Sequence, residues 1–208
     1  MEILIHVCCG PCLTYPLKRL TEKGHKLTGF LYNPNIHPYT EYQNRLEAAK
    51  YLEWAKVFPI IYEDSYDLVE YLQAVMPHLE DRCRFCYQLR LERTVRVAKE
   101  KGFGAFSTTL LVSPTQKHEL INEIGEELAK KYEIKFFYED LRSGYYEGKN
   151  IAKELNLYRQ KYCGCIFSEA ERYYKKGLRD KGFKGSREKK VYSGSGRSGC
   201  EPLASHPT

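Results

Sequence analysis

Residues 2–12, EILIHVCCGPC, join a buried-strand pattern to a helix start and put three cysteines, Cys8, Cys9 and Cys12, into the turn between them. A strand-to-helix turn in that position commonly carries glycines and cradles a phosphate. Here thiols occupy it. Outward from this turn the chain alternates. CLTYPLKRLTEKG (12–24) reads as a helix closed by Gly24, with Pro16 an objection to its first turns. HKLTGFLYNPN (25–35) reads as a strand ended by Asn-Pro. In residues 38–56, Tyr42, Leu46, Ala49 and Leu52 fall on one helical face. VFPIIYED (57–64) is a third strand, which Pro59 makes an edge strand, and SYDLVEYLQAV (65–75) is a short helix with Ser65 as its N-cap.

Residues 76–104 begin irregularly and become a helix that ends at Gly102. AFSTTLLVSP (105–114) reads as a strand, residues 115–132 as a helix and EIKFFYED (133–140) as a strand. Residues 146–160 and 168–182 are helical, with CGC (163–165) between them. This repeated alternation predicts an α/β fold, a Rossmann-like parallel sheet with helices on both faces plus C-terminal helices, in one domain over residues 1–182. Ligands in such sheets sit at the carboxyl ends of the strands. The cysteines follow that rule: Cys8 and Cys9 follow the first strand, Cys83 and Cys86 open a helix, and Asp140 ends the last expected strand. The Gly/Ser/Pro-rich segment SGSGRSGCEPLASHPT (193–208) marks residues 183–208 as a disordered tail in which Cys200 has no functional part.

The chain has 208 residues, 42% of them apolar, which supports one folded core. No apolar run approaches the roughly 20 residues of a membrane span, and the N-terminus lacks the basic flank and cleavage site of a signal peptide. The expectation is a cytoplasmic protein without a membrane partner. A net charge of +6 and 18 tyrosines, many beside Arg or Lys, are compatible with nucleic-acid contact; filler in the core and surface is the plainer use of tyrosine.

The eight cysteines point to a reduced compartment rather than a disulfide framework, because they cluster tightly and adjacent cysteines pair poorly with one another. Without Cys200, they form three groups: CCGPC, CRFC and CGC. Cys9–Cys12 and Cys83–Cys86 are two CxxC pairs, enough for a four-thiolate metal site. A structural zinc would leave Cys8, Cys163 and Cys165 without purpose, so the surplus favours iron–sulfur chemistry. C-G-P-C after a strand also suits a thiol–disulfide reductase, but such domains are shorter and lack the further cysteine pairs. Thr108, Thr109 and Gln116 make a hydroxyl-rich strand end that could meet a substrate; capping by Ser113 or Thr115 is the simpler account. Single arginines such as Arg82, Arg90, Arg142 and Arg159 are candidates for phosphate, with solvated surface as the ordinary fate. His6 is expected to pack in its strand and His118 to be an ordinary polar residue. No GxxxxGK[ST] or GxGxxG occurs, so nucleotide binding has no support.

HVCCGPC, RCRFCYQLRL, STTLLVSPTQKHELI, DLRSGYYEG and LYRQKYCGCIFSE occur together and in this order. Over residues 1–176 the sequence resembles the epoxyqueuosine reductases of the QueH family. The resemblance implies an adenine nucleotide α-hydrolase-like fold. It implies an oxidoreductase that performs two-electron deoxygenation of the epoxide of epoxyqueuosine at the wobble position of tRNA, with an unidentified electron donor. It implies a [4Fe–4S] cluster and one additional iron, held by cysteines and a carboxylate. On that reading Cys9, Cys12, Cys83 and Cys86 bind the cluster. Cys8, Cys163, Cys165 and Asp140 lie at the second iron, with Cys163, Cys165 and Asp140 catalytic and Asp81 the alternative carboxylate. Arg142, Tyr145, Tyr158 and Arg159 are expected to hold the modified base and its phosphates. The rival readings are a zinc-stabilised RNA-binding module and the thiol–disulfide reductase.

Overall fold

The computed structural model describes residues 1–180, with side-chain surroundings through Tyr174. The expected disordered tail (183–208) and Cys200 lie outside the described residues. Five parallel strands, β1 (Glu2–His6), β2 (Lys26–Leu31), β3 (Ile60–Tyr62), β4 (Ala105–Thr108) and β5 (Lys135–Phe136), form one sheet in the order β3-β2-β1-β4-β5. Among the described residues, seven α-helices accompany them: α1 (Gly10–Glu22), α2 (Tyr39–Lys56), α3 (Leu68–Val75), α4 (Arg82–Glu100), α5 (His118–Tyr132), α6 (Tyr145–Glu154) and α7 (Ile166–Asp180).

The period-2 alternation of β1 sorts the core into two layers. Ile3 and Ile5 face Leu13 and Leu20 of α1, Leu46 and Leu52 of α2, and Ala152 of α6. Leu4 faces the other way, onto Leu91 and Val95 of α4 and Ile121 and Leu128 of α5. Each such fully buried aliphatic side chain contributes about 1.5–3 kcal/mol. Both faces of the sheet are therefore covered, as the alternation predicts, and β3 is an edge strand, as Pro59 predicts. The strand order changes direction at β1, with β2 and β3 added on one side and β4 and β5 on the other, so the carboxyl ends of β1 and β4 form the topological switch point.

Several element ends differ from the sequence reading. β4 stops at Thr108 because the Thr108 hydroxyl accepts from the Leu110 N–H (3.2 Å) and starts a 3-10 turn, Thr109–Val112. β5 is two residues long, because the Ser107 hydroxyl donates to the Phe137 carbonyl (2.8 Å) in place of a ladder bond. Asp140 therefore lies in the loop beyond the strand. Asp67, not Ser65, caps α3, accepting from the Glu70 N–H (3.0 Å). Neither Ser113 nor Thr115 caps α5, which starts at His118. α6 ends at Glu154 and Asn156 takes a positive φ of 52°, so Tyr158, Arg159 and Gln160 leave the expected helix for a loop. Pro16 is accommodated inside α1. Gly10 is required at the start of that helix: a Cβ there would stand 2.7 Å from the Ala48 carbonyl oxygen of α2.

Candidate metal centre

The turn from β1 to α1 holds its three thiols together. Cys9 is the N-cap of α1, and its Sγ accepts the Cys12 backbone N–H at 3.4 Å. The Cys8 N–H donates to Thr109 Oγ1 across the switch point (3.1 Å), and the same hydroxyl donates back to Cys8 Sγ (3.3 Å). Cys8 Sγ lies 3.8 Å from Cys9 Sγ, and the sulfurs of Cys8, Cys9 and Cys12 all fall within 4.8 Å of one another. Hydrogen bonds from Cys12, Cys9 and Thr109 hold the Cys8 thiol well below its ordinary pKa despite burial. Burial pushes Cys9 up, and hydrogen bonding to Cys8 and Cys9 pushes Cys12 up.

His6 lies directly beneath this turn, fully buried, with Nε2 3.1 Å from the Tyr32 carbonyl oxygen and Nδ1 3.0 Å from Thr108 Oγ1. A carbonyl only accepts, so Nε2 carries the proton of the neutral ring. Burial and the nearby Arg90 charge hold its pKa down to about 4.

A second group comes from two other helix starts. Cys83 and Cys86 lie in the first turns of α4. Cys86 and Cys165 are both buried in one apolar cluster with Tyr71 and Val75. Cys165 immediately precedes α7, where its Sγ accepts from the Ser168 N–H at 3.4 Å. Cys163 is exposed and receives the Gln116 amide (3.5 Å), whose carbonyl in turn accepts from the Tyr87 hydroxyl (2.6 Å). Burial pushes the Cys86 thiol up to about 12, with Cys163, Cys165 and Cys83 adding to the rise against Arg90. Burial likewise raises Cys83. The positive ends of α1, α4 and α7 thus carry five of the seven thiols or abut them, and helix N-termini favour anionic sulfur.

Two residues tie the groups to the scaffold. Arg45, inside the apolar stripe of α2, donates to the carbonyls of Cys163 (2.8 Å) and Tyr162 (3.0 Å) and is paired with Glu41 at 2.7 Å. Gly164, between Cys163 and Cys165, has φ +139°, a conformation L side chains rarely adopt, and a Cβ there would lie 3.1 Å from Arg45 Nη1. Gln160 donates its amide to both Cys9 Sγ (3.0 Å) and Cys12 Sγ (3.4 Å), while its Oε1 is buried without a partner.

The other expected site residues spread more widely. Thr108 and Thr109 are fully buried and spend their hydroxyls on His6 and Cys8. Asp140 is half-exposed and bound by Arg142 through both oxygens (2.9 and 2.5 Å), a pairing that holds its pKa down to about 2. Asp81 pairs with Arg84 at 3.4 Å. Tyr158 donates to the buried Glu41 carboxylate. Tyr145 opens α6 beside Tyr146 and Lys149, and Arg159 is exposed. Among the described residues, Cys8, Cys9 and Cys12 make the one set of three or more His, Cys, Asp or Glu donor atoms this close together. Cys8 therefore stands with Cys9 and Cys12. Arg45, Arg90 and Gln160 are the residues the sequence left unassigned or on the surface; Arg45 was detectable as a charge among the apolar positions 42, 46, 49 and 52.

The profile of the family described as Epoxyqueuosine reductase QueH matches residues 3–171. A protein named epoxyqueuosine reductase QueH from Dehalococcoides mccartyi is 42% identical over 174 residues, covering 84% of this chain and 96% of the relative. Its namesake from Thermotoga maritima is 37% identical over 179 residues, covering 82% and 91%. Among solved structures, the U34-tRNA thiolase NcsA from Methanococcus maripaludis with its [4Fe-4S] cluster matches with a TM-score of 0.50 at 17% identity, over 89% of this chain and 68% of that one. A predicted tRNA methyltransferase subunit from Methanocaldococcus jannaschii matches with a TM-score of 0.50 at 14% identity, over 74% and 75%. These two likenesses concern the fold, which is of the adenine nucleotide α-hydrolase-like type. By profile and by relatives spanning nearly its whole described length, the chain belongs to the epoxyqueuosine reductase QueH family of tRNA-modifying oxidoreductases.

Proposed function

We propose that this chain reduces epoxyqueuosine in tRNA to queuosine, using a [4Fe–4S] cluster and an adjoining iron bound by its seven clustered cysteines. The overall conversion takes up two electrons and two protons and releases the epoxide oxygen as water. The observation that carries the reading is the set of free thiols gathered at the carboxyl edge of the sheet. The donor set fits: all seven are unpaired, the close trio lies at a helix start, and soft thiolates are the ligands of iron–sulfur centres. When bound, such a centre supplies electrons one at a time, and a neighbouring iron with an open position supplies Lewis acidity.

Cys8, Cys9 and Cys12 act as one set of ligands, and Cys83, Cys86, Cys163 and Cys165 as the other. The trio is grouped by its sulfur distances and Cys86 with Cys165 by shared burial; we place exposed Cys163 with the latter pair, and Cys83 too, although it packs against the cluster that holds Cys8 and Cys9. Asp140 can join a metal only by releasing Arg142, which then becomes free for a phosphate. Cys163, the exposed thiol, faces the side from which a nucleotide arrives, with Cys165 buried behind it. Gln116, fixed by Tyr87, orients Cys163, while Thr108 and Thr109 act through His6 and Cys8. Tyr145, Tyr158 and Arg159 remain the proposed contacts for RNA bases and phosphates.

The test is anaerobic reconstitution followed by incubation with epoxyqueuosine-containing tRNA and a low-potential reductant, read by nucleoside mass spectrometry. Several irons with acid-labile sulfide and appearance of queuosine are expected. A colourless protein holding a single zinc, or one that reduces a model disulfide but not the epoxide, defeats the proposal.

A further inference from the structure

Arg90 lies one turn past Cys86 in α4 and is only 1% exposed. Its Nε donates to the Cys86 carbonyl (3.2 Å) and its guanidinium lies 5.8 Å from the Tyr87 ring centroid. Its Nη2 is buried and has no hydrogen-bond partner. The other buried arginine among the described residues, Arg45, shows what such a group ordinarily requires: a carboxylate, Glu41, and two carbonyls. Arg90 has no such carboxylate. A guanidinium buried without an anion is costly. Cys86, Cys163 and Cys8, one from each of the three cysteine segments, lie near enough that their thiolate forms would offset the burial of its charge. His6, on the same side, is neutral and supplies no anion.

We propose that Arg90 is the built-in countercharge of the thiolate cage, a positioning residue whose guanidinium is satisfied only when thiolates of both cysteine groups are held as metal ligands. The inference rests on the metal-centre reading above. Metal binding strips protons from the thiols and collects negative charge in a buried volume. A fixed cation at the seam between the groups lowers the repulsion among those sulfurs, and it does so without touching substrate. It also favours the more negative, reduced state of the centre.

The test compares wild type with Arg90→Met and Arg90→Lys as metal-free chains titrated anaerobically with cobalt(II), followed by the thiolate-to-cobalt charge-transfer absorption. The Met variant is expected to bind cobalt about 10- to 100-fold more weakly, as loss of an outer-shell partner commonly does. The Lys variant keeps most of the affinity. In urea, the metal-free Met variant is expected to be at least as stable as wild type, because it has lost a poorly compensated buried charge. In the iron-loaded proteins the Met midpoint potential shifts negative. A Met variant that binds cobalt like wild type overturns the inference alone. One that fails to fold without metal also overturns it, since the charge would then serve the fold. A wild-type chain that takes up no cobalt overturns the metal-centre reading and this inference with it.

Discussion

At the scale of single residues, the centre is built from groups that each spend their polarity on a sulfur. Thr109 is the clearest case, since one hydroxyl serves both the Cys8 N–H and the Cys8 thiol. Thr109→Val keeps the shape and strands a buried N–H, which should cost about 1–3 kcal/mol in urea denaturation of the metal-free chain. Gln160 gives its amide to Cys9 and Cys12. Gln160→Leu removes both donors, so metal affinity should fall about tenfold and the midpoint potential of the loaded centre should move negative, as read by an EPR-monitored redox titration. An unchanged potential would show that these contacts do not persist around the metal. The clustering of the cysteines was legible from the sequence. Gln160 was not, because nothing local to LYRQKYC tells a glutamine facing sulfur from one facing water.

Elements decide how closely the thiols gather. α1 can carry Cys9 and Cys12 to the switch point only because Gly10 lets it approach the Ala48 carbonyl of α2. Gly10→Ala pushes these helices apart and should destabilise the chain by about 1–3 kcal/mol, with loss of metal uptake, measured by denaturation and iron analysis. The CGC loop depends on a helix more than 100 residues away. Arg45 of α2 holds its carbonyls, Tyr162 donates to the His37 carbonyl (2.5 Å), and the His37 N–H donates to the Gly164 carbonyl (2.8 Å). Arg45→Met leaves Glu41 buried without its cation, which should cost about 3–5 kcal/mol. Alkylation of Cys163 in the metal-free chain should accelerate as the loop loosens. The apolar stripe of α2 was readable from its spacing; that Arg45 belongs inside it became a finding only with the loop packed on top.

The whole molecule sets one acid limit. His37 is buried against the rings of Tyr66 and Tyr71, and burial holds its pKa down to about 4 from an ordinary value of 6.5. A depressed pKa means that the unfolded chain takes up the proton first. The stabilisation is complete above about pH 6.5 and is lost as pH falls toward 4. In total it is on the order of 3 kcal/mol. His37→Phe should reduce, without abolishing, the wild-type slope of unfolding free energy across that window, because buried His6 is held down to about 4 as well; parallel profiles for the two proteins would exclude His37 as a source. Among the described residues, no helix is long and apolar enough to cross a membrane.

By itself the sequence determined the parallel α/β architecture, the edge position of β3 and the clustering of the cysteines. Each follows from local information: hydrophobic period, a proline that cannot donate, and thiols within a few residues of one another. Only the tertiary structure decided which thiols stand together. Cys8 joins Cys9 and Cys12 because Thr109, brought alongside by the parallel pairing of β1 and β4, fixes the turn between them. Cys165 meets Cys86 because α7 begins against α4. The tertiary structure also turned Arg90 from a residue of unknown exposure into a buried cation with an unpartnered nitrogen. Grouping and charge pairing are set by contacts between residues far apart in the chain, and a local pattern holds no record of them.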